Sequence, residues 1–534
     1  LKYYRKGGYG LSSDRKKRVE ILDSTLRDGA QSEGISFSVN DKLNIVRALD
    51  EFGVDYIEAG NPGSNPKDIE FFKAVSGLNL KNSKLCAFGS TCRKGVKPED
   101  DANIKSILKA NTPIAVIFGK AWDLHVSEIL KITNEDNLNI VRDSVSYLKS
   151  QGLEVFFDAE HFYDGYKANS DYALQVLRAA IAGGADRLAL CDTNGGTMPA
   201  DIYEMTKSVC KAFPGTGIAV HCHNDTGCAV ANSMLAVEAG ASQVQGTFIG
   251  NGERCGNADL SSIIPNLKLK CGYECGGELE KLFSISRKIA DISNVTLENN
   301  RPYIGMSAFA HKGGMHIDGV MKLPCSFEHI DPQLVGNKRK FLLSEMSGRS
   351  TVLAKIMGLA PWLTKDSPET AEILAALKEL EHKGYHFEAA DASFELMVKK
   401  LLGLYSPHFK LVLYKTMGEF PVPEGGMPAS ATIKVEVGGK EEMTAAMGNG
   451  PVNALDLALR KALTVFYPQI AEMQLTDYKV RVLEQNCSTD ARVRVLIETS
   501  DDKSSWTTIG VSNDILEASL LALVDSVEFK LAMR

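Results

Sequence analysis

From Val19 to about Lys270 the chain repeats one theme: a short apolar, β-leaning run, a polar turn, then a stretch with helical periodicity. Eight such runs stand out: VEILD (19–23), DYIEAG (55–60), KLCAFG (84–89), PIAVIFG (113–119), EVFFDAE (154–160), RLALCDT (187–193), IAVHCH (218–223) and QVQGTF (243–248). Between them lie candidate helices such as 39–53, where Val39, Leu43, Val46, Leu49 and Phe52 recur at three- and four-residue steps. Eight βα units in about 250 residues predict an α/β fold of the (β/α)8 TIM type. An open doubly wound sheet competes, but it usually has fewer strands and a Gly-rich fingerprint after the first. Here STLRDGAQ follows the first run.

After about residue 275 helical patterns take over to about 403, interrupted by HKGGMH. From about 408 β-leaning segments (FKLVLYK, ATIKVEV) lead into a helix-like stretch, NGPVNALDLALRKALTVF. The pattern then repeats in kind: YKVRVLE, ARVRVLIET and WTTIGVS lead into ILEASLLALVDSVEFKL. The expected organisation is therefore a flexible basic tail (1–18), a catalytic barrel (19–274), small helical linker subdomains (275–403) and a C-terminal α+β module (404–534). That module lacks the clustered polar chemistry seen upstream, which favours a regulatory or dimerising role.

Composition narrows the function classes. At 534 residues the chain is too long for one hydrophobic core. A net charge of -7 with 24% charged residues gives no single-sign field to draw it to nucleic acid or an acidic membrane. No apolar run approaches the roughly 20 residues of a membrane span. The basic start lacks the apolar centre of a signal peptide, and a first residue of Leu1 rather than Met leaves residues before it open. The eleven cysteines include no C-x-x-C pair, and no second ligand pair follows Cys271 and Cys275. They read as reduced thiols of a cytoplasmic protein.

Polar residues cluster just after the apolar runs, at the strand ends where a barrel keeps its active site. His221 and His223 are two apart on a predicted strand, so they share a face and can offer two imidazoles to one ion, with Cys222 facing the helix layer. Strands seven, eight and one are neighbours in a closed barrel, which brings in Asp28. Two imidazoles and a carboxylate leave room for a bidentate substrate and water. The plainer alternative packs one histidine in the core and pairs the other with Asp225. Arg27 can stabilise an oxyanion, or simply pair with Glu58 or Glu160. Glu160 ends an apolar strand, where burial raises a carboxyl pKa and suits it to proton transfer or to orienting a water.

Thr193 can donate to a substrate carboxylate or serve its own Gly-rich turn. Asn257, in GNGERCGN, can add an amide oxygen to the metal or cap the next helix. His311 and His316 lie in the Gly-rich stretch AFAHKGGMHIDGV, as functional groups or as solvated loop histidines.

Together LRDGAQ, HCHND, GNGERCGN and AFAHKGGMHIDGV resemble the family of 2-isopropylmalate, homocitrate and citramalate synthases, from about Val19 to the end. AGNPGSNPKDIEFF, AFGSTCRKG, VFFDAEHFYDGY and YHFEAADASFEL look most like its citramalate branch. The resemblance implies acetyl-CoA and pyruvate as substrates. It implies a divalent ion (Mg, Mn, Zn or Co) on Asp28, His221, His223 and Asn257, with Arg27, Glu160 and Thr193 around the keto acid. It also implies His316 as an acid or base delivered across a homodimer, and a C-terminal sensor for isoleucine, or leucine in the isopropylmalate branch. Relatives often carry Tyr before Glu in the linker where this chain has Phe327-Glu328, which puts any role of that phenol in doubt. Competing readings are another 2-keto acid acceptor, an acyl-CoA or keto-acid lyase, a non-haem iron oxygenase, and a non-catalytic amino-acid-binding protein.

Overall fold

The structure, a computed structural model, describes residues 17–342, 349–422, 426–483, 491–501 and 504–533. The expected tail lies outside these residues up to position 16. Eight strands form where the apolar runs were read: β1 (Arg18–Asp23), β2 (Tyr56–Glu58), β3 (Lys84–Ser90), β4 (Ile114–Lys120), β5 (Glu154–Glu160), β6 (Arg187–Asp192), β7 (Gly217–Cys222) and β8 (Gln243–Gly246). Each pairs in parallel with the next, and β1 closes the barrel by pairing with both β8 and β2.

The intervening helices carry their own start and stop signals. Val39–Phe52 opens on a capping box between Ser38 and Asp41, ends at Gly53, and buries Ile45, Val46, Leu49 and Phe52. Its apolar stripe is the three- and four-residue pattern of the sequence.

Alternation along the strands separates two cores. Ile21, Ile57, Ala115, Val155, Phe157 and Val220 face the helices, and Cys222 joins them. Leu22, Tyr56, Cys86, Ile114, Val116 and Phe156 fill the barrel itself. Burying each large apolar side chain contributes roughly 1.5–3 kcal/mol, most of it offset by the entropy of ordering the chain. Above this apolar plug the inward positions turn polar: Phe156 is followed by Asp158 and Glu160 on β5, and Ala219 by His221 on β7 and His223 just beyond it. The plug is the floor of the site.

The chain divides into two compact units. The first runs to Phe309 and includes His329–Arg339; the second holds Ala310–Glu328 and the chain from Lys340 onward. A short strand β9 (Glu274–Cys275) adds to β1 in the first unit. The stretch read as helical also holds two short parallel strands, β10 (Ala310–His311) and β11 (Lys340–Phe341).

The tail contains two antiparallel sheets, β12 (Lys410–Gly418), β13 (Ala429–Val437), β14 (Lys440–Gly448), and β15 (Gln474–Val482), β16 (Val493–Ser500), β17 (Ser505–Ser512). Each sheet packs against the helix that follows it, Pro451–Thr464 or Ile515–Ala532. Ile433, Val435, Leu455, Leu459, Val495, Ile497 and Leu523 form their core. Sequence reading missed β14, because KEEMTAAMG has a helix-forming composition. The turn decides it: Gly438 and Gly439 take φ of 56° and 79°, which a two-residue hairpin favours, and β14 pairs with β13 along its length. Among the described residues no helix is long and apolar enough to cross a membrane, and the cysteines Cys86 to Cys325 are free thiols.

Candidate active site and metal centre

The turn after β1 folds back on Ser24, whose carbonyl accepts from the backbone N–H groups of Arg27, Asp28 and Gly29. This places Arg27 and Asp28 at the C-terminal mouth. From β7, one strand beyond β8, come His221 and His223; His223 lies just past the strand end, in an antiparallel bridge with Asn257. The Nε2 atoms of the two imidazoles are 3.4 Å apart, and they lie 3.3 and 3.7 Å from Asp28 Oδ2. Asp28, His221 and His223 are buried and offer ligand atoms all within 4.8 Å of one another. They form a possible divalent metal site.

The polar atoms around this cluster fit a cation. Asp28 Oδ1, His223 Nδ1 and both amide atoms of Asn257 are buried without hydrogen-bond partners among the described residues, a costly arrangement unless something charged satisfies them. Burial opposes ionisation of Asp28, but Arg27 and His221 outweigh it and hold the carboxyl well below its usual range. Burial and the neighbouring His221 push His223 down to about 4, so its imidazole is neutral at pH 7. For His221 burial works downward, yet the hydrogen bond to Asp28 prevails and its pKa is raised. An anionic carboxylate and two close imidazoles are a donor set that a divalent transition ion accepts.

Arg27 is held on three sides. Its Nε–H donates to Glu58 Oε2 at 2.6 Å, its Nη1 to Asp28 Oδ2 at 3.0 Å, and the guanidinium stacks 3.9 Å over the Phe88 ring. The ion-pair alternative for Arg27 is the one seen, with Glu58 as the partner rather than Glu160, and the same guanidinium also touches Asp28. Sequence reading missed two buried residues below. Gln245 lies beside His221 and Asp158, and burial and nearby Glu58 raise the Asp158 carboxyl to about 7. The signal for Asp158 was present, since it lies two residues before Glu160 and so shares its face.

Glu160 departs from expectation. It is only half-buried and forms an ion pair with Lys120 at the end of β4, so the apolar setting expected at this strand end is absent. The polar end of β4, distant in sequence, sets the surroundings of Glu160. Thr193 Oγ1 accepts the backbone N–H of His161 at 2.9 Å, which leaves its own hydrogen to donate elsewhere. Asp225 is engaged by Arg254, Nε to Oδ1 at 2.8 Å and Nη2 to Oδ2 at 2.9 Å, and Arg254 Nη2 also donates to the Thr193 carbonyl. The plain pairing of a histidine with Asp225 is thereby replaced. Asn257 caps no helix; Asp259 accepts from Ser261 N at the start of Leu260–Pro265.

In the second unit, His316 is exposed on the helix Gly314–Lys322, its ring 4.8 Å from that of Phe327. His311 Nε2 lies 3.1 Å from Glu328 Oε1. His316 is solvent-exposed but sits on a helix, whereas His311 is strand-bound and paired.

Residues 18–289 match the HMGL-like family, 303–385 the homocitrate synthase post-HMGL domain-like family, and 388–531 the LeuA allosteric (dimerisation) domain. The chain is 51% identical to the (R)-citramalate synthase of Aquifex aeolicus over 96% of its own length and 98% of that protein. It is 50% identical to the (R)-citramalate synthase of Geobacter sulfurreducens, over 96% and 97%. It is 34% identical to a probable 2-isopropylmalate synthase of Methanopyrus kandleri, over 97% and 99%. With barrel, linker and tail all matched, the chain belongs to the citramalate synthase family.

Proposed function

We propose that this chain is a citramalate synthase, an acyl-transferring condensing enzyme. It joins the methyl carbon of the acetyl group of acetyl-CoA to C2 of pyruvate and, with one water, releases (R)-citramalate and CoA. The observation that carries this reading is the buried Asp28–His221–His223 face beside a charged Arg27 at the barrel mouth, in a chain about half identical to named (R)-citramalate synthases.

A divalent metal bound by Asp28, His221, His223 and Asn257 would polarise the pyruvate ketone. Thr193, its oxygen already occupied by His161 N–H, donates its hydroxyl hydrogen to the pyruvate carboxylate. His316 of the partner subunit takes a proton from the acetyl methyl, a role worth about 10²- to 10⁴-fold. The resulting carbon nucleophile attacks C2, and Arg27, kept charged by Glu58 and Asp28, takes up the negative charge growing on the ketone oxygen. Glu160, steadied by Lys120, orients the water that cleaves the thioester. Hydrolysis draws the sequence forward.

The match to an allosteric dimerisation domain supports a homodimer with an amino-acid effector at the tail, isoleucine in this branch. The free thiols accord with a reducing, cytoplasmic setting. The test offers acetyl-CoA, a divalent metal and each 2-keto acid separately, and reads CoA and product by mass spectrometry. Preferred turnover of pyruvate, abolished by a chelator, is expected. Preference for a branched or dicarboxylic acceptor would move the chain to a sister reaction, and no CoA release from any acceptor would favour the lyase chemistry of the same barrel.

A further inference from the structure

To act as a metal ligand through Nε2, His221 must keep that nitrogen bare, and a neutral imidazole has one bare nitrogen and one N–H. Which nitrogen is bare depends on the partner of the other. Nδ1 of His221 lies 3.1 Å from Gln245 Oε1, and Gln245 Nε2 donates to Asp158 Oδ1 at 3.1 Å. Because the amide nitrogen is turned to the carboxylate, the amide oxygen faces the imidazole and accepts its Nδ1–H. The three residues are 4%, 1% and 3% exposed for His221, Gln245 and Asp158. Strand pairing contributes as well: His221 on β7 is the register partner of Gln245 on β8, whose side chain reaches inside the barrel to β5.

We infer that Gln245 and Asp158 are positioning residues for the metal centre, a relay that locks His221 with Nδ1 protonated and Nε2 turned toward Asp28. The inference rests on reading Asp28, His221 and His223 as metal ligands. His223 has no such brace, since its Nδ1 is without a partner among the described residues. The relay therefore makes His221 the fixed ligand of the pair. A buried glutamine with no positioning role would need only to satisfy its own amide. Here each end of the amide has a distinct partner, and an outer partner of this kind typically changes metal affinity about 10- to 100-fold when removed.

The test uses the full chain stripped of metal, titrated with Mn²⁺, free ion being read by electron paramagnetic resonance. The native protein is expected to bind one Mn²⁺ that His223→Ala loses. Gln245→Met, similar in length but without an acceptor, is expected to weaken Mn²⁺ binding about 10- to 100-fold. Gln245→Glu restores an acceptor for Nδ1–H and should recover most of that loss, which a filler of space would not do. Thermal unfolding of the metal-free variants reports folding separately. Asp158→Ala, which leaves the amide free to turn, is the second variant should Gln245→Met fail to fold, and it should also weaken binding. Native affinity in a folded Gln245→Met or Asp158→Ala protein overturns the relay while leaving the metal site standing. Failure of the native protein to bind Mn²⁺ overturns the site, and the relay with it.

Discussion

Arg27 donates its Nε–H to Glu58 Oε2 at 2.6 Å, the two side chains being 13% and 0% exposed. The Ser24 hydroxyl donates to the same carboxylate oxygen, so Glu58 fixes both the guanidinium and the turn that presents Asp28. Removing Glu58 leaves a buried cation without its main counter-charge, a change that typically costs about 3–5 kcal/mol. Glu58→Ala is expected to lower the unfolding free energy by that amount in urea titration. Glu58→Gln, which keeps an acceptor for Nε–H, should cost less. Wild-type stability in Glu58→Ala would show that the pair does not hold the turn.

Arg254 is the corresponding brace across the mouth. It links Asp225, after β7, to the Thr193 carbonyl, after β6, from the loop that follows β8 and ends at Asn257. The pair is partly exposed, so Arg254→Ala should shift stability by less than about 1 kcal/mol. Its effect should appear in the reaction, because misplaced strand-end groups lose alignment: a rise in pyruvate KM or a fall in kcat of about 10-fold or more is expected. Arg254→Lys cannot reproduce the two-pronged contact and should recover little. Steady-state kinetics beside a melting curve separates the two effects.

The barrel was legible because its signal is periodic. Eight recurring apolar runs mark strand number and order, and alternation along IAVHCHND alone puts His221 and His223 on one face. What escaped depends on neighbours distant in sequence. Glu160 was read from its own strand, whereas its environment is set by Lys120 on β4. Nothing in the pattern of QVQGTF singles out Gln245, and only closure of the barrel places it between His221 and Asp158. In the tail, two glycines outweighed the helix-forming composition of β14.

Asp23 predicts a pH dependence of stability. Its carboxyl is fully buried beneath the turn, accepting from Thr25 N, Thr25 Oγ1 and Phe248 N. Burial raises it from 3.8 to about 7, against the pull of the Thr25 hydrogen bonds. A carboxyl raised on folding binds its proton more tightly in the native state. Its contribution is therefore fully present below about pH 4 and is lost as pH rises toward 7, to the order of 4 kcal/mol at most. Asp28 has the opposite sign, since its depressed carboxyl destabilises only as pH falls below about 4. Asp23→Asn removes the first effect alone. The difference between native and variant unfolding free energies should narrow from pH 4 to pH 7, and a constant difference would show that Asp23 does not titrate across this range.

Phe327 lies at 44% exposure against the His316 ring, and its own ring occupies the space where a Cβ on Gly319 would stand. A residue this exposed can take up a hydroxyl at little desolvation cost. Phe327→Tyr should leave stability within about 0.5 kcal/mol. If the reaction has no use for a phenol at this position, kcat should stay within about threefold of native, well below the effect of deleting a general acid or base. A gain of about 10-fold or more would mean that the native chain works without a group its site can still employ.

The assignment of His316 to the partner's barrel has a test that needs no structure of the dimer. His316→Ala should bind metal and pyruvate normally but lose about 10²- to 10⁴-fold in turnover, and His223→Ala should lose metal. Each variant alone is inactive for a different reason. Mixed and re-associated, they form dimers in which one barrel keeps its histidine ligands and the other chain supplies an intact His316. If the catalytic histidine crosses between subunits, random re-association should return about a quarter of native activity, because half the dimers are mixed and each has one complete site. If His316 serves its own barrel, no mixed dimer has a complete site, and activity stays at the level of the separate variants. The two arrangements thus differ by more than an order of magnitude in a single mixing experiment.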